Sequence, residues 1–199
     1  FGVWGSGASD VWALGTVSFR WNGSAWGQGG AATGNAIWGT GPSDAWAVGS
    51  AATNVQRWNG TTWANVARPG GAPLNSVWGT GPNDVWAVGN SGIILRWNGT
   101  SWSTVTSGTT KALNGVWGSG SADVWVVGES GTTLRWNGTT WSSVTNATTS
   151  ALFGIWGSGP GDVLAVGNTG TIVHWNGGAW TSVPSVTPDV LYGVWGTGA

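Results

Sequence analysis

The chain has no cysteine, no methionine, a single histidine and few charges of either sign. Without cysteine there is no disulfide framework, no thiolate nucleophile and no cysteine-ligated zinc. Charged residues make up 7% of the 199, against about 25% in an ordinary soluble domain. A formal net charge of -1 gives no field to steer nucleic acid or an anionic membrane surface. No apolar run approaches the roughly 20 residues needed to span a bilayer. What is abundant is glycine, at 38 residues, and tryptophan, at 20. Disorder goes with charge and a lack of aromatics, so this composition requires a fold that buries indoles.

The tryptophans follow a period. Val/Ile-Trp-Gly recurs at Trp4, Trp38, Trp78, Trp117, Trp156 and Trp195, at spacings of 34, 40, 39, 39 and 39. The unit from Val77 to Gly115 matches the next, Val116 to Gly154, at 26 of 39 positions. A fixed period of this length indicates a repeat architecture. Five units fill the chain as one domain over 1–199, with blades at about 3–36, 37–76, 77–115, 116–154 and 155–193. A sixth opening, 194–199, reads as an extra closing strand.

Each unit holds four extended runs rich in Val, Ile, Thr and Trp, the composition of strands. In the third unit, run A (75–80) ends at Gly81-Pro82-Asn83-Asp84 and run B (85–88) ends at Gly89-Asn90-Ser91-Gly92. Run C (93–97) ends at Asn98-Gly99, which predicts a two-residue type I′ hairpin, and run D (101–106) leads into a variable polar loop. No window has helical spacing. Four short antiparallel strands per unit of about 40 residues describe a propeller blade, so the expected fold is all-β, a five-bladed β-propeller. Four Trp positions per unit account for the indoles. Leu164 stands at one of them, so that site needs bulk rather than an indole N–H.

The charges fall on the same repeat. Asp10, Asp44, Asp84, Asp123 and Asp162 share a position before run B; Arg20, Arg57, Arg96, Arg135 and His174 share one before the run-C Trp. The aspartates are expected to accept backbone N–H groups and close the A–B hairpin. The arginines are expected to bridge one blade to the next. Calcium sites gather several oxygens in one short loop, and each turn here offers one carboxylate, so no metal and no cofactor is expected. His174 stands where the other units have Arg and reads as a polar contact rather than a general base. There is no Gly-x-Ser-x-Gly elbow, and the Gly-x-Gly pieces lack the helix that phosphate binding requires. The chain does not read as an enzyme. Asn-Gly-Thr/Ser at Asn22, Asn59, Asn98 and Asn137 matches N-glycosylation acceptors, but the turn alone explains it.

VWGTGPNDVWAVGNSG followed by LRWNGTSW resembles a family of bacterial tandem repeats found in secreted or surface proteins, especially of myxobacteria. The RWNGTTW turn (135–141) is similar to a relaxed Asp-box turn, with Asn in place of its central acid. The five near-identical units resemble tachylectin-type propeller lectins. This resemblance implies a secreted or cell-surface location. Five equivalent surfaces with little charge and many Asn, Thr and Ser groups predict a multivalent lectin-like module for neutral sugars, strengthened by avidity. Its contacts are expected in the B–C turns, at Asn90, Ser91, Glu129, Ser130, Asn168 and Thr169, with a stacking ring from run A, at Trp78, Trp117 or Trp156. The alternative is a structural or protein-interaction propeller, which the variable D–A loops favour. Neither reading involves nucleic acid or membrane insertion. The chain is expected to be a monomer, with strand exchange through the duplicated opening as the alternative.

Overall fold

The computed structural model describes residues 2–30, 32–50 and 54–197. It is all-β, with twenty strands in five sheets of four, each sheet ordered as its strands occur in the chain. Sheet 1 is β1 (Val3–Gly7), β2 (Asp10–Leu14), β3 (Ser18–Trp21) and β4 (Trp26–Gln28). Sheet 2 is β5 (Ala36–Gly41), β6 (Asp44–Val48), β7 (Asn54–Trp58) and β8 (Trp63–Ala67). Sheet 3 is β9 (Leu74–Gly81), β10 (Asp84–Gly89), β11 (Ile94–Trp97) and β12 (Trp102–Val105). Sheet 4 is β13 (Leu113–Gly120), β14 (Asp123–Gly128), β15 (Thr133–Trp136) and β16 (Trp141–Ser143). Sheet 5 is β17 (Leu152–Gly159), β18 (Asp162–Gly167), β19 (Ile172–Trp175) and β20 (Trp180–Val183). The fold is that of a five-bladed β-propeller. The expected closing strand at 194–199 is not a strand over 194–197, and 198 and 199 lie outside the described residues.

The chain falls into two compact units, residues 1–87 with 94–105, and residues 88–93 with 106–199. In each, alternate residues of a strand face opposite sides of its sheet, and both sides are apolar where a neighbouring sheet lies. In the first unit Trp12 inserts between Trp58 and Trp63, with ring centroids 4.9 and 5.1 Å away, and Trp46 between Trp97 and Trp102, at 5.0 and 5.2 Å. In the second, Trp125 inserts between Trp175 and Trp180, at 4.9 and 5.4 Å. Tilted and T-shaped rings at these distances contribute about 0.5–1.5 kcal/mol per pair beyond the area they bury. The indole N–H groups of Trp12, Trp46 and Trp125 have no hydrogen-bond partner among the described residues. That is why Leu164 can hold the same position: no indole N–H is required there.

The run-A tryptophans also face the next sheet. A Cβ built on Gly39 would lie 2.8 Å from Trp4, one on Gly79 2.7 Å from Trp38, and one on Gly157 2.6 Å from Trp117. Each Trp-Gly pair is thus half of a contact whose other half is the Gly one repeat later. The C–D turns depart from the expected type I′ form. Asn98 N–H donates to Ser101 O at 3.3 Å, and only Gly99 has a positive φ, of +95°. Asn98 Oδ1 accepts the N–H groups of Thr100 and Ser101. The loop therefore has four residues and is held by the Asn side chain, a geometry shared by Asn22, Asn59, Asn137 and Asn176.

Candidate functional site

The repeated charges pair within a sheet. Arg20, Arg57, Arg96 and Arg135 each donate from Nε to the Asp at the head of strand B in the same sheet, at 2.6–2.8 Å, and His174 Nε2 lies 2.6 Å from Asp162. A hydroxyl four residues before each Asp, on Ser6, Thr40, Thr80, Ser119 or Ser158, donates to the other carboxylate oxygen. The partners seen for these aspartates are side chains, where backbone N–H groups were expected, and among the described residues the ion pairs of the repeated arginines stay within a sheet. Between sheets the expected donor role is seen at Arg20, whose Nη2 donates to Pro42 O at 3.3 Å, and the guanidinium also acts through π faces. Arg57 lies 4.9 Å from Trp46 and 5.8 Å from Trp97; Arg135 lies 4.8 Å from Trp125 and 5.6 Å from Trp175. About a third of each Arg side chain is exposed, so each ion pair contributes only about 0.2–1 kcal/mol. Asp162 is held below the usual aspartate range, first by the Ser158 hydroxyl and then by the His174 hydrogen bond. These groups hold the sheets together, and among the described residues no three His, Asp or Glu gather to hold a metal ion.

The concave surfaces lie at the B–C end. In the first unit a groove of about 540 Å³ is lined by the Gly15-Thr16 turn, the Thr33–Asn35 loop, and Ser50, Gln56 and Asn65 of sheet 2. In the second, a groove of about 490 Å³ is lined by the Ser107–Thr109 loop and Lys111, and by Ser130, Thr133, Ser143 and Asn146 of sheet 4 and the loop after it. The two are built alike: Gln56 and Asn65 hold the repeat positions of Leu134 and Ser143, and Leu134 also lines the second groove. The lining is mainly hydroxyl, amide and main chain. Thr33 N–H donates to Gln56 Oε1 at 3.0 Å, and Asn146 Nδ2 donates to Thr133 Oγ1 at 2.5 Å. A different hollow, of about 480 Å³ in the first unit, is lined by Trp12, Arg20, Gln28, Trp58 and Trp63.

The expected binding residues divide into two groups. Asn90, Glu129 and Asn168 open single 3-10 turns after strand B, and Ser91, Ser130 and Thr169 follow with φ of 57°, 54° and 55°. This left-handed backbone is uncommon without glycine, and for the β-branched Thr169 it is a real departure. Ser130 reaches the second groove. The Glu129 carboxylate accepts the Ala112 N–H at 3.2 Å, which spends it on the D–A loop. The run-A rings lie away from these turns: Trp117 and Trp156 put their far edges against Gly157 and Gly196, and Trp78 is half-buried. Thr133, Asn146, Gln56 and Asn65 were not anticipated. The available signal was a polar residue in a mainly apolar column, since Thr133 stands where three other units have Val55, Ile94 and Ile172 and the first has Ser18.

No family model and no curated protein matches this chain. Solved structures do, and they place it among β-propellers. It is similar to "YCF48 bound to D1 peptide", at 16% identity and a TM-score of 0.67 over 91% of this chain and 65% of that one. "Crystal structure of RRP9 WD40 repeats" matches at 9% identity and a TM-score of 0.73, over 90% of this chain and 61% of that one. "Structure of U3-55K" matches at 8% and 0.74, over 94% and 67%. The chain therefore spans less than two thirds of the length of the first two. No described helix is long and apolar enough to cross a membrane.

Proposed function

We propose that the chain is a non-enzymatic interaction module that binds extended, uncharged segments of a protein partner in its B–C-end grooves. The observation that carries this reading is a polar groove at the B–C end of each unit, lined mainly by hydroxyl, amide and main-chain groups, with Asn65 and Ser143 at the same repeat position. Main-chain recognition of an extended segment needs donors and acceptors of this kind rather than charge. One of the similar structures, YCF48 bound to D1 peptide, is a peptide complex and supports this reading. A secreted or cell-surface setting belongs to the same proposal. The test is binding to an array of neutral, unstructured peptides by the parent chain and by Asn65→Arg and Ser143→Arg, each of which fills one groove. Peptide binding lost in these variants supports the proposal, and binding unaffected by both overturns it.

A neutral-sugar reading has one separate observation in its favour, the hollow walled by Trp12, Trp58 and Trp63. Glycan binding that survives Asn65→Arg but is lost in Trp63→Ala would assign sugar recognition to that hollow instead.

A further inference from the structure

The hollow of about 480 Å³ in the first unit lies between sheets 1 and 2. Its walls are the rings of Trp12, Trp58 and Trp63, and its rim carries Arg20, Gln28 and Thr62. The opening has a cause in the sequence. Gly29 and Gly30 follow β4, and in the other four repeats Val66, Val105, Val144 and Val183 stand at the position of Gly29. In sheet 4 that valine, Val144, packs on the cluster of Trp125, Trp175 and Trp180. A Cβ on Gly29 would lie 3.0 Å from the Trp12 ring and 2.8 Å from Ser18 Oγ. The first repeat therefore has glycine where the others cover their indoles.

The hydrogen-bonding groups around the hollow are uneven. The acceptors are spent. Gly29 O accepts the Trp63 N–H at 3.0 Å, and Gly30 O accepts the Ser18 hydroxyl at 3.1 Å. Asp10 takes Arg20 Nε on one oxygen and the Ser6 hydroxyl on the other. Asn59 Oδ1 accepts the N–H groups of Thr61 and Thr62 and the Thr61 hydroxyl. Donors are left over. Arg20 uses Nε on Asp10 and Nη2 on Pro42 O, which leaves Nη1 on a side chain that is 30% exposed. The Thr62 hydroxyl and the Gln28 amide, both on exposed residues, hold no hydrogen bond among the described residues. The rim is weighted to donors, beside bare rings.

We infer that this hollow binds a proline-rich protein segment in the polyproline II conformation. The prolines of such a segment bring apolar rings and carbonyl acceptors but no N–H. The match is one of charge as well as shape: the positive ends of the Arg20, Gln28 and Thr62 donors meet the negative ends of the segment's carbonyls. Three residues per turn put both prolines of a Pro-x-x-Pro sequence on one side, toward the indoles. The helix is already formed in the free segment, so docking on an aromatic-lined groove costs little ordering entropy. A neutral sugar fits less well. Its hydroxyls donate as readily as they accept, and the carbonyl and carboxylate oxygens here are already occupied. The site is separate from the B–C-end grooves, whose lining is mainly hydroxyl, amide and main chain.

The probe is a fluorescently labelled, uncharged peptide of Ala-Pro-Pro repeats, titrated by anisotropy against the full chain. A Ser-Ala repeat peptide of the same length, which has no proline, reports the B–C-end grooves. Thr62→Ala and Gln28→Ser are made together. They put in residues that other repeats already hold at these positions, Ala25 and Ala179 for the first and Ser143 and Ser182 for the second, so the fold stands. With two donors withdrawn from the rim, the proline peptide binds about tenfold more weakly. That loss supports the proposal whether or not the grooves hold the Ser-Ala peptide. A parent chain that does not bind the proline peptide, or a double variant that holds it as tightly as the parent, overturns it. So does a neutral glycan that the double variant loses while the proline peptide binds neither protein.

Discussion

Leu164 faces His174 across the β18–β19 ladder, at the positions where sheet 4 opposes Trp125 and Arg135. The fifth repeat has lost the indole and the guanidinium together. Arg135 lies over the Trp125 ring, and a leucine offers no π face to hold such a cation. Histidine keeps the hydrogen bond to the aspartate at the head of strand B.

This pairing predicts a coupling. In a double-mutant cycle by urea unfolding, Leu164→Trp and His174→Arg together stabilise the chain by about 0.5–1 kcal/mol more than the sum of the single changes, the size of a partly exposed cation–π contact. Strict additivity would show that the two positions changed independently.

The Asp162 carboxyl gives a pH dependence. Its folded pKa lies below the ordinary value of 3.8, so its stabilisation is complete above the unfolded pKa and is lost as pH falls through the folded one. Ser158→Ala removes the leading cause. The variant is expected to be less stable than the parent at pH 7, with the gap closing as pH falls below 3.8. Thermal unfolding of both proteins over pH 2–7 measures it.

Two glycines of one strand predict opposite outcomes. A Cβ on Gly157 would meet Trp117 at 2.6 Å and the Asp162 carbonyl oxygen at 2.7 Å, whereas a Cβ on Gly159 meets nothing within 4 Å. Gly157→Ala is expected to cost about 1–3 kcal/mol by overpacking. Gly159→Ala is expected to fall within about 0.5 kcal/mol of the parent. Urea midpoints of the two variants decide it.

The left-handed turn residues predict a separation of stability from binding. Ser130→Gly and Thr169→Gly relieve a backbone that costs a side-chain-bearing residue about 1–2 kcal/mol, less the larger entropy that glycine loses on folding. Both are expected to raise stability by about 0.5–1 kcal/mol, Thr169→Gly more because threonine is β-branched. If the Ser130 hydroxyl serves the second groove, its variant also binds peptide more weakly. The check is a urea midpoint and a peptide titration on the same samples.

Most of the fold is legible in the repeat, because turn chemistry is local. Gly-Pro-x-Asp and Asn-Gly mark the ends of runs wherever they occur. Partnership is less legible. That Asp123 pairs with Arg135 depends on two strands and a turn bringing them to one edge, and the 12-residue separation alone leaves a neighbouring blade equally eligible. The Asn-Gly signal pointed to a two-residue turn; the side-chain amide, which accepts two N–H groups at once, makes a four-residue loop competitive. The grooves were least legible, since Gln56 and Asn65 in the first unit, and Thr133 and Asn146 in the second, line a groove only when one repeat's loop meets the next repeat's strands. The joint change at Leu164 and His174 was visible in the sequence as two departures in one repeat, and its meaning needed the register.

Because each repeated Asp meets its Arg or His inside its own sheet, the pair travels with its repeat. A gene that duplicates or drops one repeat then never separates such an aspartate from its partner. Unequal recombination within such an array leaves these pairs intact, and the number of repeats is free to drift until packing selects it.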